Sequence, residues 1–208
     1  MILSPKFEEA LVYASIIHSG QVRKDTPIPA VSHLMGVAGI TLDYEGNEVE
    51  AIAALLHDAC EDCGGRDRLD DIRQRFGDTV AEIVDGCTDT YDIPKPPWLD
   101  RKREFIARAS KLTAPIILVC AADKLNNVRA ILKDFRAGGD SVWERFNGPK
   151  HGVLGYYISM TRAFRENPAH KLRRIPELVD ELGRTISKLT DLAGYEPEKD
   201  PLTELTEL

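Results

Sequence analysis

The run Leu55-Leu56-His57-Asp58-Ala59-Cys60-Glu61-Asp62 closes a helical pattern that begins at Glu48, and Gly64-Gly65 stops it. Apolar residues fill Ala51 to Leu56, and then His57, Asp58, Glu61 and Asp62 arrive in quick succession. A helix turns about 100° per residue, which puts Asp58 about 100°, Glu61 about 40° and Asp62 about 140° from His57. All four therefore share one face, and Cys60 and Cys63 fall on the other side. Three carboxylates crowded at the C-terminal end of a helix repel one another and oppose the helix dipole. A bound divalent cation relieves both costs, whereas a plain exposed acidic face relieves neither.

Outward from this run the periodicity stays helical. Phe7, Leu11, Ala14 and Ile17 make a first stripe that ends at Gly20, and a Pro-containing loop follows from Gln21 to Ala30. Further helices are expected over Ser32–Tyr44, Leu69–Phe76 and Asp78–Cys87. A Pro-rich loop at Asp92–Pro97 precedes another helix, with Asp100 as its expected cap. A long central helix is expected from Ala114 to Ala137, with Pro115 tolerated in its first turn. Helices near Ser141–Phe146, Lys150–Arg165 and Ile175–Leu192 complete the pattern, and no alternating strand appears. The fold class expected is all-α: a single helical bundle over residues 1–192, with an acidic, flexible tail over 193–208.

Bulk properties agree with one soluble domain. The 208 residues suffice for one sizeable core, and 43% hydrophobic with 29% charged residues is an ordinary globular balance. No secretory signal pattern opens the chain, and no stretch approaches the roughly 18 apolar residues of a membrane span. Cys60, Cys63, Cys87 and Cys120 sit in or beside apolar helical patterns, which suits a reducing cytoplasm rather than a disulfide framework. A net charge of −7 argues against nucleic-acid and membrane-surface partners. A local basic cluster can still receive a small anionic substrate.

Two further elements join the opening run. His33 follows the Gln21–Ala30 loop and opens a helix. Asp123 interrupts the apolar stretch of the long central helix, where an unpaired carboxylate would be costly; it needs a salt bridge or a metal. His33, His57, Asp58 and Asp123 together offer two imidazoles and two carboxylates. Such a mixed nitrogen and oxygen set suits Mn²⁺, Fe²⁺ or Zn²⁺, with positions left for water and substrate.

The order His, His-Asp, distant Asp is that of the HD superfamily of metal-dependent phosphohydrolases. The chain resembles more closely the hydrolase domain of RelA/SpoT-type proteins and the small stand-alone alarmone hydrolases. The likeness rests on Gln21-Val22-Arg23-Lys24, His33, Ala54-Leu55-Leu56-His57-Asp58 with Glu61-Asp62, Phe76-Gly77 and Thr88-Asp89. It continues through Arg101-Lys102-Arg103 and the stretch from Ala122-Asp123-Lys124-Leu125 to Asn127 and Arg129, and spans Phe7 to Arg165. It implies hydrolysis of the 3′-pyrophosphate of a guanosine or adenosine 3′,5′-bispyrophosphate. By the same resemblance, Mn²⁺ sits on His33, His57, Asp58 and Asp123, and Glu61 and Asp62 orient or deprotonate the attacking water. Arg23, Lys24, Arg103, Lys124, Asn127 and Tyr156 are the expected substrate contacts, with Arg145 a weaker candidate. A tyrosine is usual just before the first histidine, where this chain has Ala30, and Asn126 fills a variable position that is often aromatic or histidine.

Two alternatives stay open. An HD nucleotidase or phosphodiesterase would use the same ligands on another nucleotide, although a binuclear phosphodiesterase needs histidines that His18, His151 and His170 do not supply at ligand spacing. A non-catalytic nucleotide sensor should have lost a ligand or the Glu-Asp pair, and here all six positions stand. Small helical hydrolases often pair, so a homodimer is compatible with the reading.

Overall fold

Apolar residues recurring at helical spacing produce the elements of the computed structural model, which describes residues 2–202. Helices α1 (Pro5–Ile17), α2 (Val31–Asp43) and α3 (Glu48–Leu56) come first. The short α4 (Ala59–Asp62) then leads into α5 (Gly65–Phe76) and α6 (Asp78–Cys87). The second half consists of α7 (Trp98–Ala109), α8 (Ala114–Gly138), α9 (Lys150–Glu166) and α10 (Ile175–Ala193). Among the described residues no strand forms, and a single β-bridge, Val22 with Pro29, closes the loop before α2. Among the described residues, no helix is long and apolar enough to cross a membrane.

The long helix α8 is the axis. Pro115 stands in its first turn, where the missing N–H costs nothing, and Gly139 at φ +62° ends it. Ile117, Leu118, Val119, Leu125 and Val128 along it are fully buried. They pack against α2, α3, α6, α9 and α10. Helix α3 is started by a reciprocal pair: Asn47 Oδ1 accepts from Glu50 N, and Glu50 Oε2 accepts from Asn47 N. Glu50 is itself buried and ion-paired with Arg173, which ties the start of α3 to the segment before α10.

Three expectations need correction. The helix expected from Glu48 to Asp62 is interrupted at His57-Asp58. Asp58 adopts ψ −5°, loosening the helical hydrogen bonding, but both residues stay right-handed, so His57, Asp58, Glu61 and Asp62 keep a common side. Asp100 does not cap α7. It lies within the first turn, after Pro97, where its charge still favours the helix dipole. The stretch expected near Ser141–Phe146 is a 3-10 helix over Gly139–Arg145.

The described part of the expected tail makes contacts with the helical domain. Leu202 is fully buried, Tyr195 Oη donates to Asp200 Oδ2 at 2.8 Å, and Leu202 N donates to Asp200 Oδ1 at 2.8 Å. Arg103 Nη2 bonds the Pro201 carbonyl at 3.1 Å, and Glu196 N bonds His151 Nδ1 at 3.1 Å. An apolar anchor and satisfied polar groups hold residues 194–202 against α7 and α9. Residues 203–208, the rest of that expected tail, lie outside the described residues.

Candidate active site

His33 stands in the first turn of α2, His57 and Asp58 at the α3–α4 break, and Asp123 midway along α8. The helix packing brings them together. His33, His57 and Asp58 offer donor atoms within 4.8 Å of one another. Asp123 Oδ1 lies 3.1 Å from His33 Nε2 and 3.7 Å from His57 Nε2. Asp58 reaches His57 Nε2 at 3.3 Å and His33 Nε2 at 3.6 Å.

The far nitrogen of each ring is already engaged. His57 Nδ1 donates to the Ala54 carbonyl at 2.7 Å, and His33 Nδ1 meets Asn126 Oδ1 at 2.7 Å. With Nδ1 so engaged, each ring in its neutral form turns a lone pair on Nε2 into the space shared with the two carboxylates. Such a set, two aimed imidazole nitrogens and two carboxylate oxygens, fits a divalent cation. Burial opposes a charged His57, yet the carboxylates of Asp58 and Asp123 raise its pKa well above the usual imidazole value. Asp123 is buried too, but Lys124 and the two histidines hold its pKa well below the usual carboxylate range.

Beside this cluster stand Glu61 and Asp62. Glu61 Oε1 accepts from the backbone N–H of Asp89 at 2.7 Å, and Lys95 Nζ approaches Glu61 Oε2 at 3.3 Å and Asp62 Oδ1 at 3.5 Å. Burial, and then the Asp58 charge, push both carboxyl pKa values up. That makes each a better proton acceptor near neutral pH than an ordinary surface carboxylate.

Two cavities meet at the cluster, each lined by Arg23, His33, Asp58 and Asn127. The smaller, about 300 Å³, holds Glu61, Lys102, Lys124 and Tyr156. Lys124 Nζ bonds Asp123 Oδ2 at 2.5 Å and lies over the Phe105 ring. Tyr156 is buried, and its hydroxyl has no hydrogen-bond partner among the described residues, although the Lys102 ammonium sits 4.9 Å from its ring. The larger cavity, about 480 Å³, has an apolar wall that includes Ile28, Leu34, Ile131 and Tyr157, with Lys24, Asp62 and Arg145 also lining it. Ala30 lines the same cavity. Asn127 joins the two lobes: its Nδ2 donates to Asp123 Oδ1 at 2.5 Å, and its Oδ1 accepts from Arg23 Nη2 at 2.7 Å. Lys24 bonds Asn147 at 2.7 Å, and Arg145 bonds Asp134 at 2.7 Å.

Of the expected substrate contacts, Arg103 is not brought to either cavity; its guanidinium is committed to the Pro201 carbonyl. Its neighbour Lys102 lines the smaller cavity instead and pairs with Asp89 at 2.9 Å. The signal was present: Trp98, Lys102, Phe105 and Ala109 fall on the inward stripe of α7, and a lysine in that stripe is out of pattern. Burial pushes the Lys102 pKa down, with Asp89 opposing and Lys124 adding to the fall. Asn126, Asp89 and Lys95 also belong to the site's surroundings without having been singled out as contacts.

A family model described as HD domain matches residues 10–153. The guanosine-3′,5′-bis(diphosphate) 3′-pyrophosphohydrolase MESH1 of Danio rerio is 39% identical over 125 residues, covering 58% of this chain and 66% of that protein. Its Drosophila melanogaster counterpart is 38% identical over 130 residues, covering 61% and 69%. The chain thus spans about two thirds of the length of these relatives. A solved structure described as a metazoan ortholog of SpoT that hydrolyses ppGpp superposes with a TM-score of 0.68 at 28% identity, covering 88% of this chain and 97% of that one.

Proposed function

The chain belongs to the HD-domain family, and on that footing we propose that it is a metal-dependent hydrolase that removes the 3′-pyrophosphate of guanosine 3′,5′-bis(diphosphate). The products are pyrophosphate and a nucleoside 5′-diphosphate. The observation that carries this reading is the juxtaposition of the His33, His57, Asp58 and Asp123 donors with the raised-pKa pair Glu61 and Asp62, inside a cleft with a cationic lobe.

His33, His57, Asp58 and Asp123 are the residues that would hold the metal, with Mn²⁺ the favoured ion among divalent transition metals. When bound, a divalent ion supplies Lewis-acid charge beside the scissile phosphoryl group and makes water there easier to deprotonate. Glu61 takes the proton from the attacking water on Oε2, since Oε1 is held by the Asp89 N–H at 2.7 Å while Lys95 reaches Oε2 only at 3.3 Å. Asp62 orients that water from the larger cavity. Arg23, Lys102 and Lys124 offset the phosphate charge, and the unpartnered Tyr156 hydroxyl supplies a neutral donor to the same group. Asn127 keeps Arg23 in register with Asp123. The apolar wall of the larger cavity receives the nucleoside, with Lys24 and Arg145 toward its 5′-diphosphate.

The deciding experiment is a product assay of Mn²⁺-loaded protein with guanosine and adenosine 3′,5′-bispyrophosphates and a panel of ordinary nucleotides. Pyrophosphate release from the guanosine compound supports the reading. Release from the adenosine compound alone reassigns the base. Phosphate release from ordinary nucleotides only replaces the reading with a general nucleotidase.

A further inference from the structure

We propose that Asn126 is a positioning residue that fixes His33 for metal binding, and that Gly36 is the glycine that makes room for it. The inference rests on the metal reading above and adds what sets one of its ligands. Asn126 lies one helical turn beyond Asp123 on α8, so the two side chains leave the same face toward α2. Its amide oxygen meets His33 Nδ1 at 2.7 Å. Its amide nitrogen packs against the backbone of α2 at Gly36, where an added Cβ would clash with Asn126 Nδ2. Gly36 is one turn beyond His33, so the helix that presents the imidazole also shapes the slot for the amide that orients it.

The consequence is chemical. An imidazole can carry its proton on either nitrogen, and only the Nδ1–H tautomer leaves Nε2 free as a ligand. His57 gets this from a backbone carbonyl, that of Ala54. His33 has no such carbonyl in its bond and takes its acceptor from a side chain on another helix. A side-chain acceptor is open to substitution where a backbone carbonyl is not, and Asn126 occupies it here. Such supporting partners commonly set metal affinity as well as ring orientation.

The test is Mn²⁺ affinity by chelator competition on the full chain, without substrate. Asn126→Leu should bind Mn²⁺ roughly 10- to 100-fold more weakly, the usual effect of losing such a partner. Asn126→Asp restores an acceptor and should return affinity toward wild type. Gly36→Ala should weaken binding in the wild-type background but add little to Asn126→Leu, because both act through one hydrogen bond. An independent readout needs no variant: ¹⁵N shifts of the Zn²⁺-loaded wild type should show His33 protonated on Nδ1. Equal Mn²⁺ affinity in wild type and Asn126→Leu, equal loss in the Leu and Asp variants, or an unprotonated Nδ1 would each overturn the inference and leave the metal reading standing. A wild-type protein that binds no divalent ion would overturn both.

Discussion

His33 Nε2 and His57 Nε2 face each other across 3.2 Å, each ring having its other nitrogen engaged. Two neutral imidazoles in this pose would oppose lone pairs, so a cation belongs between them: a proton when no metal is bound. Burial resists charging His57, but Asp58 and Asp123 raise its pKa well above the usual value. In chelator-treated protein the charged His57 contributes stability that is fully present below the unfolded imidazole value of about 6.5. That contribution is lost as pH rises through the raised folded value. Metal-loaded protein keeps its cation over this range, since the ligands need only stay deprotonated. The gap in Tm between Mn²⁺-loaded and chelated protein should therefore widen from about pH 6 upward. A gap that narrows as pH rises contradicts the shared-cation arrangement.

Metal holding and proton transfer separate at Asp58 and Glu61. Asp58 contacts both histidine Nε2 atoms, whereas Glu61 is fastened to Asp89 and Lys95. Asp58→Ala should lose the metal and all turnover. Glu61→Gln should keep Mn²⁺ stoichiometry and the Asp89 hydrogen bond, yet lower kcat about 100- to 10,000-fold, the range of a lost general base. Elemental analysis beside steady-state kinetics checks both. Equal metal content in wild type and Asp58→Ala would sink the ligand assignment.

Adjacent residues on α7 should behave oppositely. Lys102 lines the cavity beside Lys124 and Tyr156, so Lys102→Met should lower kcat/KM about 5- to 150-fold, as expected for about one to three kcal/mol of lost charge stabilisation. Arg103→Met should leave kcat/KM near wild type and lower thermal stability, because its guanidinium serves the Pro201 carbonyl. Kinetics and melting curves on the two variants decide it, and a reversed pattern would return Arg103 to the substrate.

The sequence carried the helices because burial repeats every three or four residues, as along α8 from Ile117 to Leu132. It did not carry the interruption at His57-Asp58, where the backbone stays right-handed and no Gly or Pro marks a break. His57-Asp58 and Glu61-Asp62 were legible because electrostatic conflict on one face demands a reason. The support given to Glu61 by Asp89 was not legible, since a backbone N–H has no residue-type signature. Asn126 acts through an amide oxygen reaching another helix, a contact that only tertiary packing creates. Residues 194–202 read as polar tail because their anchors are isolated, one tyrosine and one leucine without period.

That docked segment makes the last prediction, at Gly155. A Cβ there would overlap the Asp200 carboxylate. Asp200 cannot easily withdraw, because Tyr195 Oη holds one oxygen and Leu202 N the other. Gly155→Ala should therefore lift the segment from α9 and expose part of Leu202, at a cost of about 1–3 kcal/mol, the usual range for overpacking. The metal donors lie on α2, α8 and the α3–α4 break, so Mn²⁺ affinity should not change. Leu202→Ala alone should cost about 2–5 kcal/mol as a buried large-to-small change, and clearly less in the Gly155→Ala background, because the segment has already left. Urea unfolding of the two single variants and the double variant measures this coupling. Strict additivity would mean that Gly155 and Leu202 do not report on one docked segment.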